Sequence, residues 1–290
     1  MHFALINNNR VEAQPKLQGL CSCCSKPVIT KCGTRKIWHW AHKSKTDCDN
    51  WWEPETEWHR TWKNNYPADW QEISLLDKRT GEKHIADVRT FHNLVIEFQH
   101  SHIGPQERTS REQFYKNMVW VVDGTRLKRD YPRFLKEWKS DGISEVHKTD
   151  KSGIFKVWFP EFCFPEAWLK SSVPVIFDFL GDGTMDDPEG MRNTLYCLFP
   201  QVGRHARVAE ISFKAFINAT TNGEWTLRVQ EFINGFIKQD EIERKEQQQT
   251  MSRTSNKVIY SWRGIPLIGD SKEYRKRLSA SYKPIRKGRR

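Results

Sequence analysis

His84-Ile85-Ala86-Asp87-Val88-Arg89-Thr90, then a short turn, then Leu94-Val95-Ile96-Glu97-Phe98-Gln99, is the stretch from which the rest of the chain can be read. Val, Ile, Phe and Thr at this density favour strand, and strand side chains alternate between faces, so Glu97 and Gln99 point the same way. A turn centred near His92 and Asn93 brings Asp87 within about one residue of lying opposite Glu97. Two carboxylates flanked by apolar residues repel each other and resist desolvation, so the pair is costly unless a cation occupies the gap. An oxygen-seeking divalent ion such as magnesium suits that position.

Working outward, Glu55 to Tyr66 reads as a helix and Trp70 to Leu76 as a strand ahead of the hairpin. Behind it, Gln106 to Asn117 has no Gly or Pro and mixed charge, with Phe114 and Met118 four apart, which predicts a helix. Met118-Val119-Trp120-Val121-Val122-Asp123 is a nearly continuous apolar run ending in Asp-Gly, which suits a buried parallel strand. Helix, three strands, helix, strand is an α/β layer with a right-handed crossover.

That order, with an aspartate on the second strand and Glu-x-Gln on the third, resembles the PD-(D/E)XK nuclease superfamily. More specifically, the segment up to Thr125 is similar to the CoiA family of competence-protein-like nucleases. The similarity is carried by Ala4-Leu5, Val11-Glu12-Ala13, Cys21-x-x-Cys24, His39-Trp40-Ala41-His42, Glu55-x-x-x-His59 with Lys63, His84-Ile85-Ala86-Asp87-Val88 and Ile96-Glu97-Phe98-Gln99-His100-Ser101, in that order. The fold class implied is α/β: a restriction-endonuclease-like core with a mixed central sheet, an N-terminal zinc-binding module and a C-terminal α+β extension.

The resemblance implies roles at matching positions. Asp87 and Glu97 would hold a catalytic Mg2+ or Mn2+, with help from the carbonyl of Phe98. Gln99 stands where the superfamily usually has lysine; glutamine can orient water or phosphate but cannot take a proton near neutral pH. Glu55, His59 and Lys63 recur every four residues and share a helical face. Glu55 is expected to complete the metal shell or contact phosphate through water, His59 to assist, and Lys63 to touch DNA. An ordinary surface row with an i,i+4 pair is the plain alternative. Glu72 is either a further carboxylate of the site or a solvent-facing strand residue.

Five of the seven cysteines lie at Cys21, Cys23, Cys24, Cys32 and Cys48, with His39 and His42 among them. Cys21-x2-Cys24-x14-His39-x2-His42 has a zinc-like two-plus-two arrangement. Cys23 could replace a neighbour as ligand, and Cys32 or Cys48 could displace a histidine. A disulfide framework fits less well, since Met1 to Gly19 lacks the apolar core of a signal peptide and the cysteine total is odd. A reducing cytoplasm is the expected location, and burial of cysteines as small hydrophobes is the remaining reading. A closed structural zinc would organise a segment too short to bury its own core.

At 290 residues and 37% hydrophobic the chain is expected to form several units: residues 1–50 a zinc-ribbon-like module, 51–140 the nuclease core, 141–240 an α+β extension, and 241–290 a linker and basic tail. No apolar run reaches the ~18–20 residues that span a membrane. Seven of 13 tryptophans fall between Trp38 and Trp70. Packing explains most, and Trp38, Trp40, Trp51 or Trp52 could stack on unpaired bases. Of the net charge of +11, residues Ser271 to Arg290 carry nine Lys or Arg against Glu273, a local +8. The tail, including Arg275, Lys276, Arg277, Arg286 and Lys287, is expected to attract DNA phosphates and to lose grip as salt rises.

Between core and tail, Val173 to Asp178 and Thr194 to Phe199 read as strands, Val208 to Ile217 as a strand or short helix, and Trp225 to Ile237 as helical. Asp178, Asp182, Asp186 and Asp187 miss the calcium-loop spacing and read as a solvated turn. Glu241 to Thr250 is a Gln/Glu-rich helix or linker. The function expected is a metal-dependent DNA nuclease that hydrolyses phosphodiesters, in processing incoming DNA or defence against foreign DNA. The alternatives are a non-catalytic DNA-binding or recombination-accessory protein that retains the fold, and a zinc-centred interaction module with a basic tail.

Overall fold

The computed structural model describes residues 1–44, 48–49, 51, 53–78, 80–139, 143–179 and 194–255, with the backbone of 259–260 and 266–267. Trp52, Asp182, Asp186, Asp187 and the tail positions Arg275, Lys276, Arg277, Arg286 and Lys287 lie outside them. Two compact units divide at Asn234 and Gly235.

The first unit holds two sheets among the described residues. The amino-terminal one has five antiparallel strands, β1 (Phe3–Ile6), β2 (Asn9–Glu12), β3 (Gln18–Leu20), β4 (Pro27–Lys31) and β5 (His39–His42), in the order β2-β1-β3-β4-β5. Its core is small: Met1, Ala4, Ala13, Cys21, Cys23, Val28 and Trp40, with little besides Trp40 to bury. Such a core supplies little hydrophobic free energy on its own.

The second sheet has nine strands and is mixed. After α1 (Glu57–Lys63) come β6 (Gln71–Leu76), β7 (Lys83–Arg89), β8 (Val95–Gln99), α2 (Pro105–Tyr115), β9 (Met118–Asp123) and α3 (Asp130–Lys139). Then follow β10 (Val146–Lys148), β11 (Ile154–Val157), α4 (Glu166–Leu169), β12 (Val175–Asp178), β13 (Thr194–Leu198), β14 (Ala206–Ser212) and α5 (Phe213–Thr221). The spatial order is β10-β11-β14-β13-β12-β9-β8-β7-β6. Strands β8, β9 and β12 run parallel at its centre, flanked by antiparallel neighbours. Every residue of β8, β9 and β12 is buried, which explains their continuous apolar runs. The stretch from Val208 to Ile217 is a strand and a helix in succession, because Ser212 caps α5 by accepting from Ala215 N–H.

Helices cover both faces. Tyr115 of α2 and Tyr131 and Phe134 of α3 share a core with Trp120, Phe177, Tyr196 and Val208 of the sheet. On the other face Trp62 of α1 packs against Phe98 of β8 and against Phe213 and Phe216 of α5. Thr56 starts α1 with a reciprocal capping box completed by His59. The indoles of Trp58 and Trp62, one turn apart, both donate to Oδ2 of Asp178 at 2.9 Å. Asp178 therefore fixes α1 from the end of β12, and the sequence reading as a solvated acidic turn is corrected: this aspartate is buried.

The second unit contains the carboxyl-terminal part of α6 (Glu224–Ser255) and a short antiparallel pair, β15 (Ile259–Tyr260) and β16 (Pro266–Leu267). No helix among the described residues is long and apolar enough to cross a membrane. Asp178→Ala strips two indole N–H groups of their acceptor, and should lower unfolding free energy by about 2–4 kcal/mol in urea titration. Asp178→Asn retains an acceptor oxygen and should lose clearly less; equal losses would rule out this role for the carboxylate.

Candidate active site and metal centre

Strands β7 and β8 pair Val88 with Ile96 and Arg89 with Val95, a register that sets Asp87 opposite Glu97. The two carboxylates reach across to each other's backbone. Asp87 N–H donates to Oε1 of Glu97 at 3.1 Å, and Phe98 N–H donates to Oδ2 of Asp87 at 3.0 Å. They open into a cavity of about 70 Å³ walled also by Asp49, Glu53, Glu55 and Glu72, with Lys63, Arg111 and His59 among its other lining residues.

The charges share partners in one network. Arg111 of α2 donates to Oε2 of Glu97 at 3.1 Å and to Trp51 O at 2.6 Å, and it also pairs with Glu107. Lys63 is buried, with Nζ at 2.5 Å from Glu55, 3.1 Å from Glu72 and 4.0 Å from Asp87. Burial opposes its charge, but Glu72 and Glu55 outweigh that and hold the ammonium protonated. Enclosed among carboxylates, Lys63 is not a surface contact to DNA, which corrects the sequence expectation. Glu55 is equally enclosed, bridged to Arg60 at 2.7 Å and to Lys63; these cations overcome burial and keep it ionised. Glu72 is a buried anchor and not a solvent-facing residue: it accepts from the N–H groups of His2 at 2.7 Å and Phe3 at 3.1 Å, tying β1 to β6. Burial alone would raise its pKa, but Lys63 outweighs burial and holds it at about 2.

Glu53, which the sequence did not single out, lines the same cavity as Glu55. It meets Nε2 of His59 at 2.8 Å and Nε2 of Gln99 at 3.1 Å, and accepts from the Ser101 hydroxyl. With Nδ1 of His59 accepting from Thr56 N–H at 3.3 Å, Nε2 carries the proton and donates to Glu53. Gln99 donates to Glu53, to Ser101 O at 3.2 Å and to Ser101 Oγ at 3.1 Å. Three acceptors around one amide nitrogen fix the amide's orientation. The Glu-Pro-Glu run from Glu53 to Glu55, with proline holding the backbone extended, is the signal that could have drawn attention to Glu53. Arg111 had no such signal, because its role follows from the packing of α2.

Burial, and then Asp87 across the strand, push Glu97 up to about 8 despite Arg111. Burial also raises Asp87, against the pull of Lys63. A carboxyl whose pKa is higher in the folded than the unfolded state stabilises fully below its unfolded value near 4.5 and loses that contribution as pH rises through its folded value. Without added divalent ion, the thermal midpoint should fall between pH 5 and pH 8.5. Glu97→Gln should flatten that fall, with the gap to the parent on the order of a few kcal/mol at pH 8.5. Parallel pH profiles for the two proteins in calorimetry would contradict this. The contribution of Glu72 has the opposite sign and is lost only below about pH 4.5, as pH falls towards 2.

A second cluster lies in the amino-terminal module. Cys21, Cys24, His42 and Cys48 bring four ligand atoms within 4.8 Å of one another, a group that can hold a metal ion such as zinc. Sγ of Cys21 and Cys48 are 3.7 Å apart, and Sγ of Cys24 is 3.2 Å from Nε2 of His42. A tetrahedron with zinc–sulfur arms of ~2.3 Å has edges of ~3.8 Å, close to the first distance. Burial and then Lys26 lower the His42 pKa, which favours the neutral imidazole a metal requires.

His39 does not belong to the group, and Cys48 takes the fourth place. His39 and His42 lie three residues apart on β5, so strand alternation puts them on opposite faces; Nδ1 of His39 lies instead 2.9 Å from Ile37 O. All seven cysteines are free thiols, and Cys23 is buried beside Cys21. Of the tryptophans proposed for stacking, Trp40 is buried and bonded to Val11 O, Trp51 stacks on His84, and Trp38 is exposed. Metal analysis should find one ion per chain bound here, lost in Cys24→Ser and Cys48→Ser but kept in His39→Ala; loss in His39→Ala alone would restore the two-histidine set.

Residues 6–50 match the family model described as competence protein CoiA, N-terminal domain, so over this segment the chain is similar to that family. No curated protein and no solved structure matches the chain.

Proposed function

We propose that this chain is a metal-dependent DNA nuclease of the PD-(D/E)XK type, acting in the processing of incoming DNA or against foreign DNA. The observation that carries the reading is the cross-bonded pair of half-buried Asp87 and buried Glu97 in a cavity walled by six carboxylates, Asp49, Glu53, Glu55, Glu72, Asp87 and Glu97, against Lys63 and Arg111. A surface built only to bind phosphate has no use for such negative charge. The match of residues 6–50 to a competence-protein family model supports action on DNA.

The donor set suits a hard divalent cation: the oxygens are carboxylate, and burial, joined at Glu97 by Asp87 across the strand, raises both carboxyl pKa values, a cost to the charged forms that a cation relieves. Asp87 and Glu97 would hold Mg2+ or Mn2+. When bound, such an ion lowers the pKa of water and neutralises charge developing on phosphate. The chain's own groups perform supporting tasks. Arg111 orients Glu97 through Oε2 and places positive charge beside the site. Lys63 stays protonated and positions Glu55 and Glu72. Gln99 and His59 clamp Glu53 at the cavity wall. Gln99 transfers no proton, so its role is positioning. In the amino-terminal module the metal is zinc, structural in role, and it supplements the small core.

Purified protein should cleave DNA in magnesium or manganese, and Asp87→Ala or Glu97→Ala should lower the rate by at least about a thousandfold. Linear, circular and single-stranded DNA and RNA are assayed together. Cleavage of none of them, or undiminished cleavage by both variants, would leave the non-catalytic DNA-binding reading in its place.

A further inference from the structure

A second cavity, of about 230 Å³, opens at the carboxyl ends of the parallel strands β8, β9 and β12. The first turn of α3 and the loop before it form one wall, and the edge of the carboxylate site forms another, since Gln99 and Ser101 line it. Crevices at the carboxyl ends of parallel strands are where α/β sheets bind ligands, because the loops that follow diverge there. Gly124 at the end of β9 allows this geometry: a Cβ there would come within 2.4 Å of the Phe179 ring.

The chemistry of the wall is cationic and incompletely satisfied. Arg126 and Arg129 are exposed, and their guanidinium groups make no hydrogen bond or ion pair among the described residues. Arg133, one turn into α3, has Nε and Nη2 buried without a hydrogen-bond partner; its contact with Asp130, 3.5 Å from Nη2, is an ion pair only. The acids nearby are largely engaged. Asp123 meets Nδ1 of His100 at 2.7 Å and accepts from Thr125, and Asp130 faces Arg133, which leaves Glu166 at the rim. On the side of the carboxylate site, Gln99 is almost fully buried and its Oε1 has no partner. Because its amide nitrogen is fixed by three acceptors, that oxygen cannot be exchanged for a donor by a flip. Buried orphan groups of this kind are normally satisfied in native proteins, so both ends of the cavity call for a polar occupant: an anion at the arginines and a donor at Gln99.

We propose that this cavity seats the terminal nucleotide of a DNA strand, its phosphomonoester on Arg126, Arg129 and Arg133 and a sugar hydroxyl or base N–H on Gln99. The assignment rests on the nuclease reading and deepens it, making a strand end the preferred substrate. A terminal phosphate carries close to two negative charges, which suits three guanidinium groups better than an internal diester does. The cavity is smaller than the ~300–1,000 Å³ of most ligand pockets, in keeping with one phosphorylated residue and not a length of duplex.

The test is fluorescence anisotropy of short oligodeoxynucleotides on the full chain with no divalent ion added, comparing 5′-phosphate, 3′-phosphate and hydroxyl ends. One phosphorylated end should bind at least about tenfold more tightly than its hydroxyl counterpart. Arg126→Ala/Arg129→Ala, on exposed side chains that the fold does not use, should abolish that preference and flatten the salt dependence by about 0.7 per lost phosphate contact. Thymidine monophosphate should compete, and inorganic phosphate should compete much less well. Equal affinity for all ends, a preference that survives the double variant, or equal competition by inorganic phosphate would overturn the assignment. Absence of any end preference in the unmodified chain, where that chain still cleaves DNA, counts against this cavity alone. End preference in a chain that cleaves nothing counts against the nuclease reading instead.

Discussion

The exchange between Asp87 and Glu97, each carboxylate accepting from the other's strand, is the constraint around which the first unit is arranged. Two carboxylates side by side on adjacent strands, Glu97 buried and Asp87 half-buried, tend to drive those strands apart or take up protons. Here they are held by backbone donors that exist only in this register, so a one-residue slip of β8 would both separate the pair and turn Glu97 to the other face. Around them the surrounding elements contribute one compensation each. From α1 comes Lys63, from α2 Arg111, and from β6 Glu72, which shares Lys63 and draws in the backbone of β1. Secondary structure here is placed by charge as much as by apolar packing.

Legibility from sequence followed the range of the interactions. The hairpin, β9 and the opposition of Asp87 and Glu97 were readable because they depend on period-two alternation and a short turn. Helices α1 and α2 were readable in kind, α2 from a run free of Gly and Pro, although α1 spans only Glu57–Lys63 and α2 runs from Pro105 to Tyr115 and not from Gln106 to Asn117. Helix α3 and strands β10 and β11 were missed: the two strands are very short, and only through β11, whose second partner β14 lies far along the chain, do they join the large sheet. The metal cluster was half readable. Its cysteine pair lies in a tight turn that spacing reveals, whereas the choice of His42 and Cys48 over His39 depends on which face of β5 looks inward.

Exposure was the harder quantity to read. Lys63, Glu55 and Glu72 look like surface charges because such residues usually are, and each lies buried in a network that only the tertiary fold assembles. Glu53 was passed over for a neighbour two residues away, since no periodicity ranks two acids on either side of a proline. Arg111 reaches Glu97 from 14 residues along the chain, through a helix whose mixed charge offered no reason to choose it.

Asp178 carries an implication for how such proteins can diversify. The helix that supplies His59 and Lys63 is held by an acceptor 116 residues downstream of Trp62, on a strand paired in parallel with β9. A cassette limited to the hairpin and its neighbouring helices would leave that acceptor behind, and with it the tie that fixes the helix. Lineages that exchange segments by recombination would therefore have to inherit β12 together with α1, which makes the site a discontinuous unit of inheritance.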